Sequence, residues 1–434
     1  ASPGPDPRSS RDPRPSGILV DVNSPSPTPH PSPDDLPGWL VLLREARSRI
    51  ASQVRETPVV TSYTFSEGAG RNVLMKLENL QRTGAFKLRG ALNKVLTLDE
   101  ATRARGVIAA SAGNHAQGLA LAATLSGVKS TIVMPDSTAL IKVRRTEAYG
   151  AEVVLHGRTW DVSHMHATAL AEQRGLYYVH PFDDPEVIAG QGTCGLELLE
   201  QLPEVRTVVV PIGGGGLCAG VALAIKAQRP DVRVVGVQAS GAASMVRSFH
   251  EGSRTTVSHP ETIAEGIRVG TPGALTYELV RRHVDDCVTV EEPEIVDAVL
   301  QTMQKSKVVA ETAGVVGVAA IAAGRVGGDD PVCAILSGGN IDLNFLGRLI
   351  QNGLAAAGFY HPLTVRIPDM PGQLQLILQV ISKSRANIVD IEHRRHGWQV
   401  PIGSVDVAIL LETRREGEGE RIAEELSREG FTVR

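Results

Sequence analysis

Seven short β-rich runs punctuate the chain as far as position 336, and longer stretches with helical spacing separate them. The runs are Val73–Leu77, Val107–Ala110, Thr131–Met134, Glu152–Leu155, Val208–Ile212, Val232–Val237 and Val332–Leu336. Strands this short, joined by helix-length connections, call for crossovers and a mostly parallel α/β sheet. Several runs end in Gly, Ser or Pro. The special residues therefore gather at the carboxyl ends of strands, where open α/β sheets hold their ligands. Ahead of the first run, Leu40, Val41, Leu42, Ala46 and Ile50 recur at helical spacing from Trp39 onward.

After about Gly353 the rhythm changes. Pro362–Ile367 reads as a strand, Pro368–Gly372 as a turn and Gln373–Ser384 as a helix. Ala386–His393 and Val400–Leu411 follow as strands, Gly419–Glu429 as a helix and Phe431–Val433 as a last short strand. The order β-α-β-β-α-β is that of a ferredoxin-like motif, which puts a boundary near 353–361. At the other end, residues 1–37 hold eleven of the 26 prolines, mixed with Ser, Asp and Arg. Such a segment buries too little apolar surface to offset its ordering entropy and reads as a disordered tail.

Bulk properties narrow the function classes. A length of 434 residues with 42% hydrophobic and 21% charged residues suits two or three globular domains. A net charge of −4 offers no basic footprint for nucleic acid. No apolar run approaches the ~18 residues of a membrane span. The cysteines, Cys194, Cys218, Cys287 and Cys333, lie far apart without a Cys-x-x-Cys pair, which argues for reduced thiols and a cytoplasmic protein.

Four motifs carry the chemistry. The stretch Gln81–Ala91 sets Lys87 between Phe86 and Leu88, after a Thr-Gly turn. A partly desolvated lysine there has a lowered pKa and a nucleophilic amine able to condense with an aldehyde; the alternative is a solvated surface lysine. Ser111-Ala112-Gly113-Asn114-His115 follows a strand, and Ser111 also suits a helix N-cap. Gly213, Gly214, Gly215, Gly216 and Leu217 stand between the run Val208–Ile212 and a helical stretch Cys218–Lys226. Consecutive glycines let backbone N–H groups converge on an anion, with the helix dipole adding to the attraction. The run lacks the lysine of a P-loop. A flexible loop or a dinucleotide turn fits the glycines alone, but a dinucleotide turn leaves Lys87 and Asn114 unexplained. The fourth motif is Ser337-Gly338-Gly339-Asn340, at the end of the last run.

Taken together, these residues resemble the threonine dehydratase (threonine ammonia-lyase) group of the tryptophan-synthase-β-like enzymes, over roughly residues 40–434. The resemblance implies pyridoxal 5'-phosphate as cofactor and a two-lobed fold type II domain with mostly parallel sheets over 38–352, its smaller lobe at about 79–182. A linker at 353–360 then leads to 361–434, where Asp-Met-Pro-Gly at the first turn and Ala-Asn-Ile at 386–388 resemble an ACT regulatory domain.

By the same resemblance Lys87 is the catalytic amine and Asn114 serves the cofactor's ring hydroxyl. Phe86, Gly266, Glu311, Ser337, Leu217 and the four glycines border the cofactor. Ser111, Gly113 and His115 border the substrate carboxylate, with His115 in a packing or hydrogen-bonding role. Ser337 faces the pyridine nitrogen, where an alcohol makes the cofactor a weaker electron sink and favours elimination. Ala112 stands where racemases of the family carry a second hydroxyl, so racemisation should be poor. Gln191-Gly192-Thr193 matches a structural loop. Gln238 and Ser244 replace the acidic ligands of metal-dependent relatives, so no divalent metal is expected; a monovalent cation stays open.

The activity implied is β-elimination of water from L-threonine followed by hydrolysis of the enamine, giving 2-oxobutanoate and ammonia, with L-serine as a second substrate. Isoleucine or valine is the implied effector, near Asp369, Gly372 and Asn387, and the implied assembly is a homodimer or homotetramer. A serine or threo-3-hydroxyaspartate dehydratase shares all these residues. A non-catalytic amino-acid sensor on the same scaffold is the more distant rival.

Overall fold

A computed structural model of the chain describes residues 30–356, 358–395, 400–415 and 417–434. The proline-rich stretch expected to be disordered lies, over 1–29, outside the described residues. Three sheets organise the rest. The largest has six strands in the order Val59–Thr61, Val73–Leu77, Val332–Leu336, Thr207–Pro211, Arg233–Ala239, Asp286–Val290. All its pairings are parallel except the first. Its neighbouring residues point to opposite faces, as strand geometry requires. Val208 and Val210 enter one apolar cluster with Cys333 and Ile335, while Val209 enters another with Val332 and Ala334. Helices cover both faces, which is why the strands read as continuous apolar runs.

The second sheet is smaller and wholly parallel, ordered Glu152–Leu155, Ser130–Met134, Val107–Ala110, Tyr177–Tyr178. Its two faces also split between clusters, Val107 and Ala109 on one and Ile108 and Ala110 on the other. The third sheet is antiparallel throughout, ordered Asn387–Arg394, Ser404–Glu412, Tyr360–Pro368, Thr432–Val433. The helices Gln373–Lys383 and Glu418–Arg428 add Ile377, Val380, Ile381, Ile422 and Leu426 to its core.

Several local expectations shift. The first helix starts at Leu36, with Asp35 capping the Gly38 amide, and its buried stripe is Trp39, Leu43, Ala46 and Ile50. Val41 instead faces water. The Gln191–Thr193 motif is no loop; it lies inside the helix Pro185–Gln201, where its small residues let helices touch. An added Cβ on Gly192 would sit 2.6 Å from the Gly220 carbonyl, and one on Gly190 2.6 Å from the Arg89 carbonyl. The strand expected from Val400 begins at Ser404, because Pro401 lacks an N–H and Gly403 takes φ +84° in the intervening turn. Three short strands, Val59–Thr61, Tyr177–Tyr178 and Asp286–Val290, have no counterpart in the sequence reading.

Buried charge marks the ground beneath the Lys87–Thr97 helix. Arg89, wholly buried, donates to both oxygens of Glu78 at 2.8 Å and to Glu197 at 2.6 and 2.8 Å. Lys76 joins through Glu197 at 2.9 Å and through the Thr57 carbonyl at 2.6 Å. Two cations face two carboxylates, and main-chain oxygens take up spare donors, so the cluster is satisfied where an unpaired member would be costly.

Candidate active site

Lys87 opens the helix Lys87–Thr97. Its amine donates to the Pro181 carbonyl at 2.8 Å. Burial brings its pKa down to about 8, partly offset by the negative field of Glu311. The segment before it is tied to the Ser337–Asn340 turn. The Phe86 amide donates to the Ser337 carbonyl at 3.1 Å, the Gly339 amide donates to Gly84, and Ala85 bridges Gly338. The sheet's own strand end thus fixes where the amine begins. Gly118, on the helix Asn114–Leu125, lies so close to Lys87 that an added Cβ would meet its backbone at 3.1 Å.

Around this amine the structure gathers Asn114, Glu311, Gly266 and Ser337. Asn114 donates to Glu311 Oε1 at 2.6 Å and accepts from Asn340 at 2.9 Å. The Glu311 amide donates to the Gly338 carbonyl, and a Cβ on Gly266 would come within 3.6 Å of Glu311 Oε1. Burial pushes the Glu311 carboxyl up to about 7, against the Asn114 hydrogen bond that favours its charged form. Ser337 is buried at the strand end.

The helix Asn114–Leu125 has Gly113, not Ser111, as its N-cap, and no side chain caps it. Ser111 instead accepts a long bond from the Gly113 amide at 3.3 Å. The helix N-terminus is thereby left facing outward as an anion site. His115 turns inward, with Nε2 donating to the Val179 carbonyl at 3.1 Å and Nδ1 unpartnered. Burial, with Lys87 nearby, lowers its pKa to about 3.

The glycine turn is shaped by residues the sequence reading missed. The Phe182 ring sits where a Cβ on Gly214 would be, at 2.4 Å, and the Phe182 backbone closes on Gly216 at 2.9 Å. Thr276 donates its hydroxyl to the Gly214 carbonyl at 2.6 Å. Asp183 accepts from the Ala274 and Thr276 amides at 2.8 and 3.0 Å. Because Pro181 holds the lysine and Phe182 underlies the glycines, one dipeptide couples the two halves of the site. The only forewarning in sequence is a Pro-Phe-Asp triplet after a short aromatic run. The helix begins at Gly216, inside the glycine run and two residues earlier than expected, and Gly215 takes φ +104°. Among the described residues, no acceptor meets the amides of Gly213, Gly214, Gly215 or Gly216. A turn of unclaimed N–H groups, three glycines (Gly214, Gly215 and Gly216) with no room for a Cβ and a detuned lysine amine match a phosphorylated aldehyde, so the residues fit pyridoxal phosphate.

Of the positions expected in place of metal ligands, Gln238 reaches the glycine turn, its Nε2 donating to the Gly213 carbonyl at 3.4 Å. Gln238, buried, accepts from the Met245 and Val246 amides at 2.8 and 3.0 Å, and Ser244 donates to the Val269 carbonyl at 2.8 Å. Across the mouth, Lys142 beside the small sheet pairs with Glu265 next to Gly266 at 2.7 Å. In the C-terminal sheet, Asp369 and Gly372 follow the strand end that pairs with Ser404, whereas Asn387 pairs with Glu412 at the other end. Eight residues of strand, roughly 25 Å, separate these ends, so the three are not brought together within one chain. A cleft of about 460 Å³ opens at the Pro368 end, lined by Arg366, Gln373, Leu376, Ser404 and Phe431 among others.

Comparison with known proteins agrees with this geometry. An L-threonine ammonia-lyase of Thermotoga maritima is 45% identical over 392 residues, 90% of this chain and 98% of that protein. The solved processed form of threonine deaminase isoform 2 from Solanum lycopersicum matches with a TM-score of 0.71 at 38% identity, over 76% of this chain and 91% of the other. Maize serine racemase matches with a TM-score of 0.69 at 36% identity, over 73% and 98%. The model of the family described as pyridoxal-phosphate dependent enzyme matches residues 50–338, and the chain belongs to that family.

Proposed function

We infer that this protein is a pyridoxal-phosphate-dependent L-threonine ammonia-lyase that converts L-threonine to 2-oxobutanoate and ammonia and also accepts L-serine. The observation that carries the reading is the buried Lys87 amine, brought to about pKa 8 and joined through Pro181–Phe182 to a turn of unclaimed amides. When bound, pyridoxal phosphate supplies an aldehyde for the amines and a ring that draws electrons from the substrate's Cα.

The chain's residues do the rest. The amides of Gly213–Gly216 hold the phosphate, and the open N-terminus of Asn114–Leu125 with Ser111 orients the substrate carboxylate. Lys87, freed by substrate, takes the Cα proton as general base and returns a proton to the departing hydroxyl. Ser337 would meet the ring nitrogen of bound cofactor without a charge, which would limit electron withdrawal and favour loss of the β-hydroxyl. Ala112 has no proton to deliver on the opposite face, so racemisation stays a minor path. Lys87→Ala should lower ammonia release by about 10⁴-fold or more and abolish the visible absorbance of bound cofactor. A yellow, active variant refutes the assignment.

The β-α-β-β-α-β order of the C-terminal unit supports an ACT-type domain that binds a branched-chain amino acid at the Asp369–Gly372 end, where the cleft opens. Its effect on catalysis is a differential affinity for two states of a homodimer or homotetramer. Calorimetric titration with isoleucine and valine should give heat with the full chain and none after truncation at 353. Equal binding by both places the effector elsewhere. Four buried thiols without disulfides support a cytoplasmic setting, and no described helix is long and apolar enough to cross a membrane.

A further inference from the structure

Asn340 closes the Ser337–Asn340 turn with its nitrogen committed twice. Nδ2 donates to the Thr83 carbonyl at 2.7 Å and to Asn114 Oδ1 at 2.9 Å. A main-chain carbonyl can only accept, so Asn340 must face Thr83 with nitrogen. That same nitrogen obliges Asn114 to present its oxygen to Asn340 and its own nitrogen to Glu311, 2.6 Å away. One fixed backbone oxygen therefore sets the orientation of two amides in series. With Glu311 served, a single Asn114 N–H is left uncommitted. The approach of Asn340 depends on Gly84, which takes φ +74°; an added Cβ there would stand 2.6 Å from Asn340 Oδ1. The Thr-Gly pair ahead of Lys87 thus provides both the carbonyl and the room.

We propose that Asn340 is a positioning residue that locks the Asn114 amide in one of its two orientations, keeping the last Asn114 N–H for the ring hydroxyl of pyridoxal phosphate. This rests on the reading of Asn114 given above. Asn340 itself touches neither the cofactor nor the substrate. Its removal leaves Glu311 alone to orient the Asn114 amide, and in molecules whose Glu311 is protonated the amide can then turn over, so that an oxygen lone pair replaces the donor.

The test compares full-length holoenzymes: wild type, N340D, N340A, N114A and the double variant N114A/N340A. N340D sets a carboxylate oxygen against two acceptors, and N340A deletes the donor without adding charge, so it carries the comparison if N340D does not fold. The readouts are the rate of cofactor loss on dialysis and the absorption band of the bound cofactor. N340D, N340A and N114A should each lose cofactor about 10-fold faster than wild type or more and shift the band. The double variant should be no worse than N114A alone, since Asn340 acts through Asn114. Effects that multiply in the double variant overturn the proposal, as do Asn340 variants with wild-type retention and spectrum. A wild type that binds no pyridoxal phosphate removes the functional reading and this inference together, which distinguishes that failure from the others.

Discussion

The parallel-sheet part of the molecule and its C-terminal sheet handle charge in opposite ways. Around the two parallel sheets, helices cover both faces, and ionisable groups inside are either fully paired, as in Lys76, Glu78, Arg89 and Glu197, or displaced in pKa, as in Lys87 and Glu311. In the antiparallel sheet, strand Asn387–Arg394 is almost wholly exposed and even Val389 and Ile391 face water at 44% and 41%. Charge on that strand stays near solvent, as in the Arg394–Glu392 pair. The difference teaches where reactivity can be made. Only a region closed on both sides removes enough water to turn a lysine into a ready nucleophile.

The strongest way to break that contrast is at the buried cluster. Arg89→Met leaves Glu78 and Glu197 without their main partner and should destabilise the protein by about 3–5 kcal/mol, read by urea unfolding. Arg394→Met in the C-terminal sheet, which loses only an exposed pair with Glu392, should cost clearly less. Equal losses would mean that burial does not separate the two regions. A step down in size, Gly214→Ala pushes a methyl into the Phe182 ring and should cost about 1–3 kcal/mol of packing. Because Phe182 is joined to the carbonyl that holds Lys87, the variant should also release cofactor faster; unchanged retention would uncouple turn and amine.

The smallest effect concerns protonation. With a pKa near 8 in place of 10.5, Lys87 is mostly protonated and unreactive below pH 8 and mostly free above it. Capture of pyridoxal phosphate by the cofactor-free protein should rise with pH through about 8 and then flatten. A midpoint near 10.5 would mean that burial does not perturb this lysine.

Much of this was legible in the chain, for identifiable reasons. Strands buried on both faces, such as Val107–Ala110 and Val332–Leu336, show as apolar runs, and the three glycines with no room for a Cβ show within a run of four. Asn114 and Ser337 come together because their motifs follow the carboxyl ends of strands, whereas Glu311, ahead of the helix Val316–Ala322, carries no such signal. What stayed hidden depends on partners distant in sequence. Arg89 carries no signal of its own in the sequence, since its partners Glu78 and Glu197 lie 11 and 108 residues away. Asp286–Val290 alternates polar residues because it is an edge strand. Ser111 looks like a cap, yet the N-cap position is Gly113 and no side chain caps the helix. Asn340 sits within a motif but gains meaning only from the carbonyl of Thr83.

The Lys142–Glu265 contact deserves to be followed into solution. It spans the rim between the two sheets, with both partners partly in water, so its strength belongs to the electrolyte as much as to the fold. The Debye length falls from about 30 Å at 0.01 M to about 3 Å at 1 M salt. Concentrated salt therefore weakens this contact while leaving the Arg89 cluster below almost untouched.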